Sequence, residues 1–464
     1  MNLGAYAELD ERPPLRGSDA ARWTILERAA RRLAESKERS ATGASDFFKR
    51  VRQVILVATS SRSGSSLFAE LLSRSSKFLH FPGEINPFLR LAGLSWPNTG
   101  TSDLLLPEMC GSEALNVLQD YFALEVGAPA APHSCGATEN DFAESLYRRL
   151  CLQWPLESFT LEEVCAAHAS AAFALEDMRG RKCDWNEDLQ LFHALFLKNV
   201  RVNHTAINPY YYDLDRALIK EMFPELDAPV GPPSSVIIEE PPFILARPWR
   251  RWQTEDLAER VLIIKTPSNA YRLEFWRTVF PAARFRVLHL TRNPAASING
   301  IYDGWHHWGF HSHYIGAELR IPGYSDSGGP DAGWWKFDLP PGWQNYTGAT
   351  LEEICAFQWS SAQESILEFA RRTDVDYQRI RFEDILSGDE ARLRLYSSLC
   401  SWLEIDDGNL LGALSQPLPR VMATKAPRRR RWQENAAVLS RVVKHPTVRA
   451  LIDALDYRDE SEWI

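Results

Sequence analysis

A short apolar run that ends in a turn of small residues and continues as a helix constrains this sequence most. Residues 51–58 are mainly apolar, residues 59–66 run Thr-Ser-Ser-Arg-Ser-Gly-Ser-Ser, and apolar residues then recur at helical spacing, namely Leu67, Phe68, Leu71 and Leu72. A strand–loop–helix unit of this kind brings backbone N–H groups and the positive end of a helix dipole to one point. The segment therefore predicts an anion-binding loop at the edge of a sheet.

This loop differs from the phosphate loop of nucleoside triphosphatases at one decisive position. Compared with the Walker A pattern GxxxxGK[ST], it keeps the second glycine as Gly64 and the final hydroxyl as Ser66, but Thr59 replaces the first glycine and Ser65 the lysine. That lysine normally reaches the β- and γ-phosphates of a triphosphate. Arg62 supplies the cation of the loop instead, which disfavours a triphosphate ligand. A serine-rich turn without a ligand is the structural alternative.

Four later apolar runs predict further buried strands, at residues 236–238, 261–264, 285–290 and 377–382. They are short and β-branched, and helix-compatible stretches separate them, which is typical of a parallel sheet covered on both faces. The predicted fold class is α/β, with a P-loop-like parallel β-sheet flanked by helices.

The organisation of the chain follows from the same patterns. Residues 1–50 form a predicted N-terminal helical lead, in which Ser18 caps a helix with apolar residues at Trp23, Leu26, Ala30 and Leu33. Residues 51–464 form one predicted domain. It carries a large, mostly helical insertion at about 100–230, and the Gly-, Trp- and His-rich stretch at about 303–350 is predicted to be irregular loop.

An arginine follows the predicted strand at 285–290. Arg292 is succeeded by Asn293 and Pro294, which end the strand and let a new helix begin. Ligands of α/β sheets bind at the carboxyl ends of the strands, and a guanidinium there can hold a phosphate with two hydrogen bonds. A surface salt bridge is the alternative role of Arg292.

Residues 428–431 are four consecutive arginines in a chain whose net charge is −9. Like charges repel unless an anion lies among them, so the run predicts an anion-binding loop, with a solvated charge run or a polyanion patch as alternatives. The acidic balance of the whole chain excludes nucleic acid as the main partner, because binding of the phosphate backbone needs a basic face.

These three segments resemble the 3′-phosphoadenosine 5′-phosphosulfate (PAPS)-dependent sulfotransferase family, in its bacterial type with an Arg-Ser-Gly-Ser loop. Residues 61–67 look like the 5′-phosphosulfate loop, Arg292 with Pro294 resembles the 3′-phosphate motif, and residues 425–433 resemble the C-terminal loop that closes over the 3′-phosphate and adenine. The resemblance implies a sulfotransferase fold and transfer of the sulfuryl group of PAPS to an acceptor hydroxyl by in-line displacement, with PAPS as co-substrate and no metal.

The resemblance also implies which residues contact the donor, namely Arg62, Ser63, Gly64, Ser65, Ser66, Arg292, Ser297, Arg428 and Arg429. There is one departure from the family pattern. The family places a serine eight residues after the arginine of the 3′-phosphate motif, where this chain has Gly300. Ser297 or Asn299 is expected to take its place.

Three residues are the candidate catalytic groups. Arg62 is expected to stabilise the charge on the bridging oxygen. Cytosolic members of the family use a histidine after a Lys-Thr pair as the base, but here Pro267 follows that pair and cannot accept a proton. Other branches use a glutamate in a Gly-Glu pair, which corresponds to Glu84. Glu84 is therefore the expected general base, and Lys265 is expected to hold the transferring sulfonate. An ordinary loop carboxylate and a structural ion pair are the alternatives.

Two other clusters carry less chemistry. Residues 381–384 (Arg-Phe-Glu-Asp) resemble a strand-end motif of the family and support the fold. Residues 306–313 contain four histidines whose spacing fits no zinc pattern, so that no metal site is predicted.

The remaining expectations concern the location of the protein and its partners. No run of about 18 apolar residues occurs, which predicts no membrane span, and the first residues lack a signal-peptide pattern. Seven cysteines without a CxxC pair favour a reduced, cytoplasmic protein. The expected partner is a small-molecule or natural-product acceptor.

Two other functions stay open. A P-loop kinase or nucleotide phosphotransferase is favoured by residues 236–240 (Val-Ile-Ile-Glu-Glu), which look like a Walker B strand. A non-catalytic nucleotide-binding protein would keep Arg292 without needing a base.

Overall fold

A five-stranded parallel sheet forms the centre of the computed structural model, which describes residues 17–39, 46–129, 137–326, 328–407 and 418–463. The strands are β1 Gln53–Ala58, β2 Phe78–Leu79, β3 Gly127–Pro129, β4 Trp249–Arg251, β5 Val261–Lys265, β6 Arg284–Thr291, β7 His311–Tyr314, β8 Trp334–Lys336 and β9 Asp376–Arg381.

Helices cover both faces of this sheet. They are α1 Gly17–Arg39, α2 Phe47–Arg50, α3 Ser65–Leu72, α4 Asn86–Leu91, α5 Ser112–Glu125, α6 Ala137–Gln153, α7 Leu161–Arg179, α8 Leu189–Val200, α9 Arg216–Met222, α10 Thr254–Glu259, α11 Leu273–Val279, α12 Pro294–Trp305, α13 Leu351–Arg372, α14 Phe382–Leu386, α15 Asp389–Leu403, α16 Ala436–Val443 and α17 Pro446–Ala454. Short 3₁₀ turns lie between several of them.

The strand order is β2-β5-β1-β6-β9, and all four pairings are parallel. Strand β1 is central and buried on both faces because its side chains alternate between two cores. Val54 and Leu56 enter the core under α5 to α8, whereas Ile55 and Val57 enter the core under α3 and α15. The α/β fold class, with its parallel sheet flanked by helices, is confirmed. The carboxyl ends of β1, β5 and β6 meet at one edge, where loops can form a site.

One predicted strand is wrong. Residues 236–238 are buried but form bends rather than a strand. The carbonyl of Ile238 accepts a hydrogen bond from Arg90 (2.7 Å), and the N–H of Glu239 donates to the carbonyl of Leu152 (3.4 Å). A side chain and the last turn of α6 thus supply partners to this backbone without a sheet. The edge strand beside β5 is instead β2, which has only two residues.

The mostly helical insertion is present as α5 to α9, with α7 and α8 packed against each other and α6 against α7. The stretch at 303–350 is largely irregular, but it contains an antiparallel ribbon of β7 and β8 that the sequence analysis missed. The division into a lead of 1–50 and a domain of 51–464 stays a prediction.

The N-terminal helix starts slightly earlier than predicted, and its buried face only partly matches the predicted one. Helix α1 begins at Gly17, so Ser18 lies in its first turn rather than at the cap. Leu26 and Leu33 are buried as the spacing suggests, together with Ile25 and Ala29. Trp23 is exposed.

Among the helices of the described residues, none is at once long and apolar enough to span a bilayer.

Candidate active site

A cavity of about 660 Å³ opens at the carboxyl edge of the sheet. Its walls come from the loop after β1, the end of β5, the turn after β6, the β7–β8 ribbon and residues 418–432, which are called the strap here. Most of the predicted site residues line it, namely Arg62, Gly64, Ser65, Ser66, Glu84, Lys265, Arg292, Arg428 and Arg429. Ser63 and Ser297 do not.

The loop after β1 needs its glycine. Gly64 has φ +96° and is the N-cap of α3, and a β-carbon there would overlap the ring of Phe382. The loop is anchored by Thr59, whose hydroxyl donates to the carbonyl of Leu290 (2.8 Å). Gly64, Ser65 and Ser66 line the cavity at the start of α3, where backbone N–H groups without a partner inside the helix favour an anion.

Ser63 and Ser297 lie behind the loop rather than on the cavity. Both are fully buried, and their hydroxyls are 3.2 Å apart, which ties the loop to α12. Position 300 leaves no room for the serine that the family has there, because a β-carbon on Gly300 would lie 2.9 Å from the β-carbon of Arg62. Asn299 does line the cavity, and its side chain is held by Asp303 (3.2 Å) and by the amide of Asn435 (2.7 Å).

Arg62 is held from three sides. Its Nη1 donates to the carbonyl of Met422 in the strap (2.8 Å), its guanidinium lies 4.9 Å from the ring centroid of Phe310, and its own carbonyl accepts from Nη1 of Arg292 (3.2 Å). Burial lowers the pKa of Arg62 to about 10, helped by the positive charges of Arg431 and Arg292. Its Nε has no hydrogen-bond partner within the described residues.

Four non-glycine residues of the cavity wall adopt the left-handed conformation. They are Arg62 (φ 64°), Phe310 (64°), Phe337 (64°) and Met422 (51°). The Phe310 and Phe337 rings stack with centroids 4.7 Å apart, so the Phe310 ring contacts both Phe337 and the Arg62 guanidinium. Such residues are disfavoured and cluster at functional sites, where the surrounding structure holds them in place.

Arg292 is positioned by the turn that follows it. Glu383 accepts hydrogen bonds from the backbone N–H of Asn293 (2.9 Å), from its side-chain amide (2.8 Å) and from the hydroxyl of Tyr457 (2.9 Å). The motif at 381–384 thereby fixes the turn. The guanidinium of Arg292 lies 5.1 Å from the ring centroid of Phe382, and burial is the main cause that lowers its pKa.

Glu84 and Lys265 form an ion pair on the cavity wall. The ammonium group of Lys265 contacts Oε1 of Glu84 and also donates to the hydroxyl of Ser66 (3.1 Å). Oε2 of Glu84 is buried without a hydrogen-bond partner among the residues described. One carboxylate oxygen is therefore fixed by the ammonium group, and the other has no partner within the described residues. Pro267 begins a 3₁₀ turn at the end of β5.

The four arginines of the strap do not act as one group. Arg430 donates to the carbonyl of Ser461 (2.9 Å) and does not line the cavity. Arg428 pairs with Glu434. Arg431, which the sequence analysis left out of the site, does line the cavity.

Asp303 holds two cations of the strap. Its carboxylate pairs with Lys425 (3.0 Å) and with Arg431 (3.0 Å) and is buried. The strap is thus attached to α12 by ion pairs at both of these positions.

Asp338 is a second residue that sequence analysis missed. It lines the cavity and accepts hydrogen bonds from the hydroxyls of Ser61 (2.6 Å) and Tyr271 (3.0 Å), and burial raises its pKa to about 6. No motif marks it, because it reaches the site through the turn after the β7–β8 ribbon. Asp338 supports the loop after β1 by accepting the hydrogen bond from the Ser61 hydroxyl.

The histidines at 306–313 have separate partners. His311 contacts Asp331, and His313 lies 3.5 Å from a carboxylate oxygen of Asp103. Burial lowers the pKa of His307 to about 3. Across the described part of the chain, no group of three or more His, Cys, Asp and Glu side chains could hold a metal ion.

Comparisons with known proteins assign no family. No protein-family model matches the chain, and no curated protein matches its sequence. Three similar solved structures are sulfotransferase STF9 from Mycobacterium avium (12% identity, 95% of this chain and 86% of that chain, TM-score 0.40), the sulfotransferase domain from the curacin biosynthetic pathway (12%, 88% and 99%, 0.33) and the sulfotransferase domain from the Synechococcus PCC 7002 olefin synthase (13%, 78% and 76%, 0.30). At these identities and TM-scores the likeness assigns no activity to this chain.

Proposed function

We propose that this protein is a sulfotransferase that moves the sulfuryl group of PAPS to a hydroxyl of a small-molecule or natural-product acceptor. One observation carries the proposal. Arg62 in the loop after β1, Arg292 after β6 and the strap arginines come from distant parts of the chain, yet they line the same cavity as Glu84. A nucleotide with phosphate groups at both ends of its ribose needs such separate cationic elements.

The residues present fit an anionic donor. Neither Arg62 nor Arg292 forms an ion pair with a carboxylate in the part of the chain that the structure describes, and the Nε atom of each has no hydrogen-bond partner there. Each guanidinium donates to a backbone carbonyl, but no carboxylate of the described residues neutralises its charge. Because a partly buried charge without an opposite charge is costly, these two guanidiniums on one cavity support an anion there.

The donor, when bound, supplies the sulfuryl group and carries the phosphate that leaves. The backbone N–H groups at the start of α3, together with Arg62, would hold the phosphosulfate end. Arg292, with Arg428 and Arg429, would hold the 3′-phosphate. Arg62 would also stabilise the charge on the bridging oxygen, a contribution of about 3–4 kcal/mol by analogy with an oxyanion-hole donor.

Glu84 would act as the base. Its Oε2 would accept the proton of the acceptor hydroxyl, while Lys265 keeps Oε1 in place. The same ammonium group contacts Ser66 of the loop. Lys265 therefore lies between the base and the loop, where it would orient both and neutralise charge on the transferred group.

The two other functions make different demands. A kinase would need a lysine where this chain has Ser65, and residues 236–240 do not form the strand that a Walker B motif requires. A non-catalytic nucleotide-binding protein would not need the unpaired oxygen of Glu84 beside the loop.

Isothermal titration distinguishes these functions. We expect binding of 3′-phosphoadenosine 5′-phosphate (PAP), with a dissociation constant of about 1 μM, and no measurable binding of ATP with magnesium. Tight binding of ATP with magnesium and none of PAP would contradict the proposal and favour the kinase. Transfer of label from PAPS to an acceptor in a screen would exclude the non-catalytic alternative.

A further inference from the structure

The helical insertion reaches the active site at one carboxylate. Asp213 lies between the 3₁₀ turn Pro209–Tyr211 and α9, and its Oδ2 accepts a hydrogen bond from the backbone N–H of Met422 in the strap (2.7 Å). The backbone of Asp213 is itself fixed, because its N–H donates to the carbonyl of Phe243 (2.9 Å). A fixed carboxylate of the insertion thus holds the strap.

Met422 transmits this contact to Arg62. Its N–H is held by Asp213, and its carbonyl accepts from Nη1 of Arg62 (2.8 Å). With φ at 51°, Met422 has the left-handed conformation that a residue with a β-carbon disfavours. The hydrogen bond to Asp213 opposes the return of this residue to the favoured region, and such a return would turn the carbonyl away from Arg62.

We propose that Asp213 is a positioning residue that orients the guanidinium of Arg62 through the backbone of Met422. The proposal gives the helical insertion a role in the reaction, and it rests on the proposed function of Arg62. The Phe310 ring adds a second contact to the Arg62 guanidinium, at 4.9 Å from the ring centroid.

Ionisation of the Asp213 carboxyl destabilises the folded protein, which supports a functional role for this residue. Burial raises its pKa to about 6, although the N–H of Met422 and the charges of Arg420 and Arg62 lower it in part, and Glu70 raises it further. Because the pKa is above that of an unfolded aspartate, ionisation disfavours the folded state. This penalty is absent below about pH 4 and complete above about pH 6.

The first test compares Asp213→Asn with Asp215→Asn. Asp215 contacts the strap through Arg420 (3.1 Å) rather than through Met422, and it caps α9, a role that asparagine also fills. Asparagine keeps an acceptor oxygen for the Met422 N–H but loses the charge that strengthens this hydrogen bond. We therefore expect Asp213→Asn to lower kcat for sulfuryl transfer about threefold, through a misplaced charge, with a melting temperature at pH 8 no lower than that of the wild type. Asp215→Asn should retain the wild-type kcat.

The pH dependence of stability separates positioning from a structural role. Asparagine carries no ionisation penalty, so the melting temperature of Asp213→Asn relative to wild type should rise between pH 5 and pH 8. Asp213→Ala, which removes the acceptor altogether, should lower kcat more, by about tenfold. Equal kcat values for wild type, Asp213→Asn and Asp213→Ala would overturn the proposal, as would a loss of kcat accompanied by a fall in melting temperature at pH 8.

A second readout needs neither donor nor acceptor. Phenylglyoxal modifies neutral guanidine groups, and peptide mapping gives the rate at Arg62 in the nucleotide-free protein. We expect Asp213→Ala to raise this rate about fivefold by shifting the conformational equilibrium, and Asp215→Asn to leave it unchanged. An unchanged rate in Asp213→Ala would overturn the link between Asp213 and Arg62. Absence of PAP binding and sulfuryl transfer in the wild type would instead refute the proposed function, and the labelling would still decide the link.

Discussion

The sheet-edge arginines, Arg62 and Arg292, and the strap line the same cavity. They differ in whether a carboxylate neutralises their charges. Arg62 and Arg292 form no ion pair within the described residues, and burial lowers the pKa of both. In the strap, Lys425 and Arg431 share the buried carboxylate of Asp303. An anion that enters the cavity therefore neutralises Arg62 and Arg292 outright, whereas Lys425 and Arg431 must exchange one anion for another. Most of the binding energy for the donor should come from the sheet edge.

The largest effect should be on the rate of sulfuryl transfer, and it should come from replacing the proposed base, Glu84, at the sheet edge. Glu84→Gln removes the proton acceptor but keeps the shape of the side chain, so sulfuryl transfer should fall about 10³-fold. PAP affinity, measured by titration, should change less than about twofold, because Glu84 carries no phosphate contact. Glu108, which is exposed, offers a matched control as Glu108→Gln. Normal turnover in Glu84→Gln would rule out the assigned base.

The next largest effect should come from Arg292, one of the two sheet-edge arginines without a carboxylate partner. Arg292→Ala should weaken PAP binding about 30-fold, because hydrogen bonds to a charged group are lost together with the cation. Adenosine 5′-phosphosulfate, which lacks the 3′-phosphate, should bind with nearly unchanged affinity. Titration of both ligands into both proteins measures the difference. Equal losses for the two ligands would refute the assignment of Arg292 to the 3′-phosphate.

The smallest loss of PAP affinity should come from the strap. Measuring it tests the contrast between the strap and the sheet-edge arginines most sharply. Arg429→Ala should weaken PAP binding only about threefold, and the effect should vanish at high salt, because an exposed charge is screened. Arg430 provides the control, since it turns to the carbonyl of Ser461, so Arg430→Ala should bind PAP as the wild type does. A loss for Arg429→Ala as large as that for Arg292→Ala would break the comparison.

The sequence predicted the parts of the site that depend on local geometry. The loop after β1 could be recognised because a strand, a glycine and a helix follow one another directly, and Arg292 because Pro294 ends its strand. Residues 236–238 misled because a short apolar run can be buried without joining a sheet when a side chain such as that of Arg90 satisfies its backbone. Strand β2 is too short to leave a pattern.

The residues that sequence analysis missed are those brought in by tertiary placement. Asp338 and Asp213 come from the ribbon and the insertion, whose sequences carry no motif. Ser297 illustrates the opposite error, because its hydroxyl contacts Ser63 behind the loop instead of the cavity. Spacing identified the right helix for Ser297 but not the direction in which its side chain points.

The account depends on one nucleotide engaging the start of α3 and Arg292 at once, and a crystal structure of the complex with PAP tests this most directly. We expect the 5′-phosphate at the start of α3, within hydrogen-bond distance of the backbone N–H groups of Gly64 to Ser66, and the 3′-phosphate on Arg292. PAP bound outside this cavity, or with only one of its phosphates contacting these elements, would contradict the account.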